Sequence, residues 1–503
     1  MRRAALALIA AMAAPPAGAG PLDEPHLAIV PRTHDETARV APVTAPPADP
    51  GGLQPFEGLP GGATTVRAST TADAFSQPSA NMGFAQELDF RLGNALFRKL
   101  WVAAPSSTIA SDGLGPLFNA RSCQSCHIKD GRGHTPQGPQ DDALSLVMRL
   151  SIPGGEGRAQ IEGYLSTQPD PVYGAQVQDF TLPGQTAEGR PRVTWTEEIV
   201  ALAGGQTATL RRPHWQLESP GYGPLHPWIM TSIRVAPQMV GLGLLEAVPA
   251  ADILALADET DADGDGISGR PNIVWSAEYD RTMLGRFGLK AGTPTLRQQV
   301  ADAFVTDIGI GSPLHPHGWG DCTPAQTACR DALHGNEPDR GRLEIDAEGL
   351  DLVTFYSRNL AVPARRAPDD PQVLRGKAVF RAAGCADCHR PAFVTHRLQD
   401  NAAQSFQLIW PYTDLLLHDM GDGLADHRPE GRANGREWRT APLWGIGLTA
   451  QVSGHAEFLH DGRARSLLEA ILWHGGEAQP ARGAVVALPP ADREALIRFL
   501  ESL

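Results

Sequence analysis

Apolar residues recur at helical spacing in four stretches of this chain. In residues 85–101 they are Leu88, Leu92, Ala95, Leu96 and Leu100; in 347–360 they are Leu350, Val353, Phe355, Tyr356 and Leu360, with Pro363 as the stop. Residues 373–383 give a third predicted helix. A fourth runs over 490–503 through Leu496, Phe499, Leu500 and Leu503, with Asp492 as an N-terminal charge. Residues 193–200 and 207–210 are instead rich in β-branched and aromatic side chains and flank Gly204-Gly205, which predicts a β-hairpin. Residues 20–84, rich in Pro, Ala, Gly and Thr, read as an extended, partly ordered lead-in. Residues 364–372 put charges between prolines and read as a linker. The pattern predicts a mainly α chain of two helical domains, 85–363 and 373–503, the first with a large loop-rich insertion that carries the hairpin.

Met1 to Ala19 has Arg2-Arg3, an apolar run over 4–14 and Ala17-Gly18-Ala19, the pattern of a signal peptide cut near residue 19. No later run approaches the roughly 20 apolar residues of a membrane span. An exported, periplasmic protein without a membrane span is the expectation. The formal charge of −14 argues against a nucleic-acid partner and suits a basic electron-donor protein.

Six cysteines sharpen this picture. Cys123-Gln124-Ser125-Cys126-His127 and Cys385-Ala386-Asp387-Cys388-His389 are both Cys-x-x-Cys-His, the attachment sequence of a c-type haem. The cysteine and histidine content predicts on the order of 0.002 such pentads by chance. A zinc knuckle would need its four ligands close together, and these pairs lie far apart. Each pentad falls between a predicted opening helix and a predicted closing helix, so both domains read as cytochrome c-type haem domains. Cys322 and Cys329 remain, and an oxidising compartment makes them a local disulfide. Asp261-x-Asp263-x-Asp265-Gly266-Ile267 has the spacing by which alternate side chains, with the Ile267 carbonyl, converge on calcium; the rival reading is an Asp/Gly solvent turn. The twelfth position is Asn272 and not the bidentate Glu of an EF-hand.

The tandem plan resembles the bacterial di-haem cytochrome c peroxidase superfamily. The runs 112–120, 241–248, 438–445 and 460–467 are similar to its di-haem oxidoreductase branch, sometimes called thiol oxidoreductases. The resemblance implies a reactive first haem with His127 as proximal ligand, hydrogen peroxide as acceptor, and a small electron-donor protein (a cytochrome or a cupredoxin) or a bound protein or small molecule as the oxidised partner. It implies Glu246 as the catalytic acid–base group, unless an arginine such as Arg234 holds it structurally, and Trp228 as the electron relay, with Trp101, Trp438 and Trp444 as rivals. His460 and Arg463 fall in the motif after the second haem, with Arg463 beside the propionates. Where the peroxidases carry an axial methionine this chain has His474, so His389/His474 ligation and a lowered potential are expected, with Met420 as the rival ligand. His134 is either a sixth ligand of the first haem or a surface loop histidine. A non-enzymatic di-haem electron-transfer protein is the alternative class.

Overall fold

Gly93 and Gly376 decide how the helices of this protein meet. The computed structural model describes residues 20, 22–108, 111–138, 141–336 and 343–503. The signal peptide predicted over residues 1–19 lies outside these residues.

Four helices, Phe84–Arg98, Ala347–Arg358, Pro371–Ala382 and Pro490–Ser502, correspond to the four periodic stretches. They pack as two pairs, each an opening helix on a closing helix. A Cβ on Gly93 would stand 2.2 Å from the Leu352 carbonyl oxygen, and one on Gly376 would stand 1.9 Å from that of Ala495. Only glycine permits backbones to approach so closely. Four residues on, Phe97 and Phe380 each lie 6.3 Å, centroid to centroid, from the histidine of their pentad. Each also meets a closing-helix aromatic at 5.2 Å, Tyr356 in one half and Phe499 in the other. The two halves thus repeat one packing unit. The first helix corrects the periodicity reading, because Leu88 and Leu100 are about 60% exposed and the buried face is Phe90, Gly93 and Phe97.

The chain is not mainly α. Helix accounts for 28% of it and strand for 17%, and the described strands form six small sheets, so α and β are mixed. Between the helices, proline- and glycine-punctuated segments satisfy their backbone groups by pairing locally, and such short pairs leave no long period in the sequence. The longest hairpin, Arg190–Leu202 with Gln206–Glu218, contains the predicted one and turns at Gly204 and Gly205, both at positive φ. Leu202 and Leu210 on it enter the core built around Phe380, Leu496 and Phe499. Arg465 and Arg493 donate to the Thr209 and Ala203 carbonyls at 2.7 and 3.1 Å, so this loop of the first half straps the second.

The lead-in is ordered and packed rather than extended. Thr33 and Glu36 form a capping box for helix His34–Thr44. Glu57, fully buried, receives Arg365, Lys377 and the Tyr412 hydroxyl. Residues 364–372 are held too, through Arg365 Nη2 to Ser502 Oγ at 2.9 Å. Cys322 and Cys329 are joined as a disulfide. No helix among the described residues is long and apolar enough to cross a membrane.

Candidate functional site

Each Cys-x-x-Cys-His forms one helical turn that hands its histidine forward. Ser122 caps the first turn by accepting from the Ser125 N–H, and the backbone N–H of His127 and His389 donates to Cys123 and Cys385 at 3.0 Å. The His127 Nδ1 is 2.8 Å from the Pro237 carbonyl and the His389 Nδ1 is 2.9 Å from that of Tyr412. A carbonyl only accepts, so Nδ1 carries the proton and Nε2 keeps its lone pair for a metal. Burial lowers the pKa of both imidazoles, His389 to about 4, which keeps them neutral. All four cysteines are free, and burial pushes Cys123 and Cys385 up to about 12. Thiols held protonated in this way do not suit a redox dithiol, whose chemistry needs a thiolate.

Both turns open into a single cavity of about 1210 Å³, whose wall includes Cys123, Cys126, His127, Cys385, Cys388 and His389. His474 lines it as well, with Nδ1 2.8 Å from the Ala470 carbonyl, so it repeats the ligand habit of the other two histidines; Met420 is also in the wall. Trp438 and His460 stack in this wall with centroids 3.9 Å apart, and burial lowers the His460 pKa to about 4. Lys290, completely buried, sits 4.5 Å from the Trp438 ring.

Among the arginines of the cavity wall, Arg149, Arg234 and Arg428 gather around one carboxylate, Glu430. Strand pairing sets Val147 opposite Arg234 and Arg149 opposite Ser232, which makes the two arginines diagonal neighbours on one face. Glu430 accepts from Arg234 at 2.7 Å and Arg428 at 3.0 Å; burial alone would raise its pKa, but these cations hold it far below the carboxylate range. Nε of Arg149 is buried without a partner. This local excess of arginine around Glu430, beside paired free thiols and neutral histidines, fits two haems with acidic edge groups. Nothing in the sequence signalled this cluster, whose members come from three distant segments.

Other predicted site residues sit elsewhere. Trp228 is 71% exposed, edge-on to His226, and does not line the cavity. Glu246 is buried, but its oxygens accept from the Leu296 N–H and from Arg358 Nε, each at 2.8 Å, and it too is outside the cavity wall. Its cation is therefore Arg358, while Arg234 serves Glu430. Arg463 is committed to Asp461 and the Gly423 carbonyl. His134 Nδ1 meets its neighbour's carbonyl, at Thr135, and lies away from the cavity. In the acidic loop Asp258, Asp261 and Asp263 bring their oxygens within 4.8 Å of one another. Asp265 bonds the Ile267 N–H, and both residues reach the cavity wall. Sequence spacing missed Asp258, which precedes the motif.

It also missed His418. Its Nε2 is 2.8 Å from Asp414, its Nδ1 is 2.7 Å from Glu477, and the Cys388 sulfur is 3.7 Å away. Burial works against its charge, but the Asp414 carboxylate and then its hydrogen-bond partners, Glu477 among them, raise its pKa well above the usual histidine value. Glu477 in turn accepts from the Ser268 hydroxyl at 2.7 Å, which links the acidic loop to the second pentad.

No curated protein matches the chain. The family described as "Di-haem oxidoreductase, putative peroxidase" matches residues 57–151 and 226–503, which include both pentads, the cavity arginines and all four paired helices. The stretch left out, 152–225, holds the long hairpin. With two equivalent histidine sites opening into one cavity and a family match over most of its length, this chain belongs to the di-haem oxidoreductase family.

Proposed function

We propose that the protein is an exported, periplasmic di-haem c-type oxidoreductase that uses hydrogen peroxide as electron acceptor. The observation that carries this is the shared cavity, since both Cys-x-x-Cys-His turns and His474 line one space. Bound haem supplies the one-electron chemistry. Cys123 and Cys126, and Cys385 and Cys388, bind the two groups through thioethers. His127 and His389 give Nε2 to the irons, with the Pro237 and Tyr412 carbonyls fixing ring and tautomer. His474 closes the second site, in preference to Met420, because its Nδ1–H is already held by a carbonyl. Arg149, Arg234 and Arg428 receive acidic edge groups by charge-assisted hydrogen bonds. The Trp438–His460 stack replaces the exposed Trp228 as the aromatic route through the wall. Calcium binds the loop at Asp258, Asp261 and Asp263, and Ser268 passes its order to Glu477 and His418.

The reaction is tested by mixing the holoprotein with hydrogen peroxide and a reduced small cytochrome or cupredoxin. Peroxide-dependent oxidation of the donor is expected. Donor oxidation that ignores peroxide would make the chain an electron-transfer module instead.

A further inference from the structure

A second cavity, of about 720 Å³, lies against the second pentad: Ala386 and Asp387, the residues between its cysteines, form part of the wall. The facing wall comes from helix His34–Thr44 and the residues after it, ahead of the family match that begins at residue 57. It therefore distinguishes this chain from the common family core. Its size falls in the roughly 300–1,000 Å³ range of small-molecule sites.

Arg39, Arg381 and Arg390 line this space against a single carboxylate, Asp387. Among the described residues none of the three forms an ion pair, and Arg390 reaches only the Thr44 carbonyl, at 3.5 Å. Arg381 and Arg390 are half-buried and Arg39 is exposed, so all three are within reach of a ligand in this space. Phe406 and Trp410 add aromatic surface. Trp410 is mostly buried in the second-half core and presents part of its ring to this space. Unmatched planar cations beside aromatic faces recognise a flat ring that carries negative charge.

We propose that this cavity binds a small planar aromatic anion, a carboxylate, sulfonate or phenolate, against the turn that carries the second haem. The probe is anthraquinone-2-sulfonate, titrated calorimetrically into the holoprotein at low and at moderate salt, with 2-(hydroxymethyl)anthraquinone as the uncharged control. One site per chain is expected, weakened by salt and about tenfold weaker in an R381Q/R390Q variant. Arg39 is exposed, so R39Q tests the same wall without risk to the fold and is expected to weaken binding severalfold. Equal affinity for the uncharged control, or unchanged affinity in R39Q and R381Q/R390Q, would overturn the assignment. Binding of polyglutamate with no binding of the sulfonate would also overturn it, in favour of an acidic polypeptide.

Discussion

Gly93 and Gly376 hold each opening helix against the backbone of its closing helix, and through Phe97 and Phe380 they set where His127 and His389 stand. Gly93→Ala and Gly376→Ala therefore each lose about 1–3 kcal/mol of unfolding free energy in denaturant titrations, because the clash is with a carbonyl that cannot rotate away. A second residue-scale expectation concerns Glu188, buried beside Gln178 and Gln326, where burial raises its pKa to about 8. The folded state then binds more protons than the unfolded state between the ordinary carboxylate value, about 4.3, and pH 8. Its contribution is fully present below that window and lost as pH rises through it. Melting temperature should fall across this range in the parent protein and stay flatter in E188Q. The histidines and cysteines of the pentads were legible because Cys-x-x-Cys-His is a local pattern, and the structure brings both to the wall of one cavity. The anchoring of Glu246 by Arg358 was not, since its partner lies 112 positions away and spacing cannot choose among arginines. Leu88 and Leu92 misled for a related reason: helix 84–98 has two apolar stripes, Gly93 selects the buried one, and Leu100 falls past the helix end.

Elements of this protein are tied together by loops that carry no period. The Arg190–Glu218 hairpin lies in the stretch outside the family match, yet Arg211 donates to the Gly462 and Arg463 carbonyls and to Glu457. Replacing the hairpin by a short glycine-serine connection is expected to lower the melting temperature and expose the Leu472–Trp473 region to protease; an unchanged melt would refute the strap. The acidic loop acts similarly through Ser268, Glu477 and His418. Removing calcium with a chelator is predicted to perturb the absorption of the second haem more than the first, and D261N/D263N should abolish that response. Helix ends and the hairpin could be read from local sequence. The mixed α and β content could not, because two- and four-residue strands such as Leu117–Phe118 and Ile273–Ser276 owe their form to a partner strand.

Across the whole molecule the halves repeat one packing unit but differ in what faces the cavity. The second half offers His474 with its Nδ1–H held by a carbonyl, whereas among the described residues His315 and His317, which also line the cavity, have no Nδ1–carbonyl bond of that kind. The place of His474 in the cavity wall was legible from the motif spacing, but the cluster of Arg149, Arg234 and Arg428 arises only when three segments fold together. Replacing imidazole by thioether favours the ferrous state, so H474M should raise the midpoint potential of one haem and leave the other unchanged in spectroelectrochemical titration. The most direct test of the account is low-temperature EPR of the oxidised, calcium-loaded holoprotein and of its H474A variant. One high-spin and one low-spin signal, with the low-spin signal lost in H474A, is the predicted result. Two low-spin signals that H474A leaves unaltered would contradict both the open first site and the ligand assigned to the second.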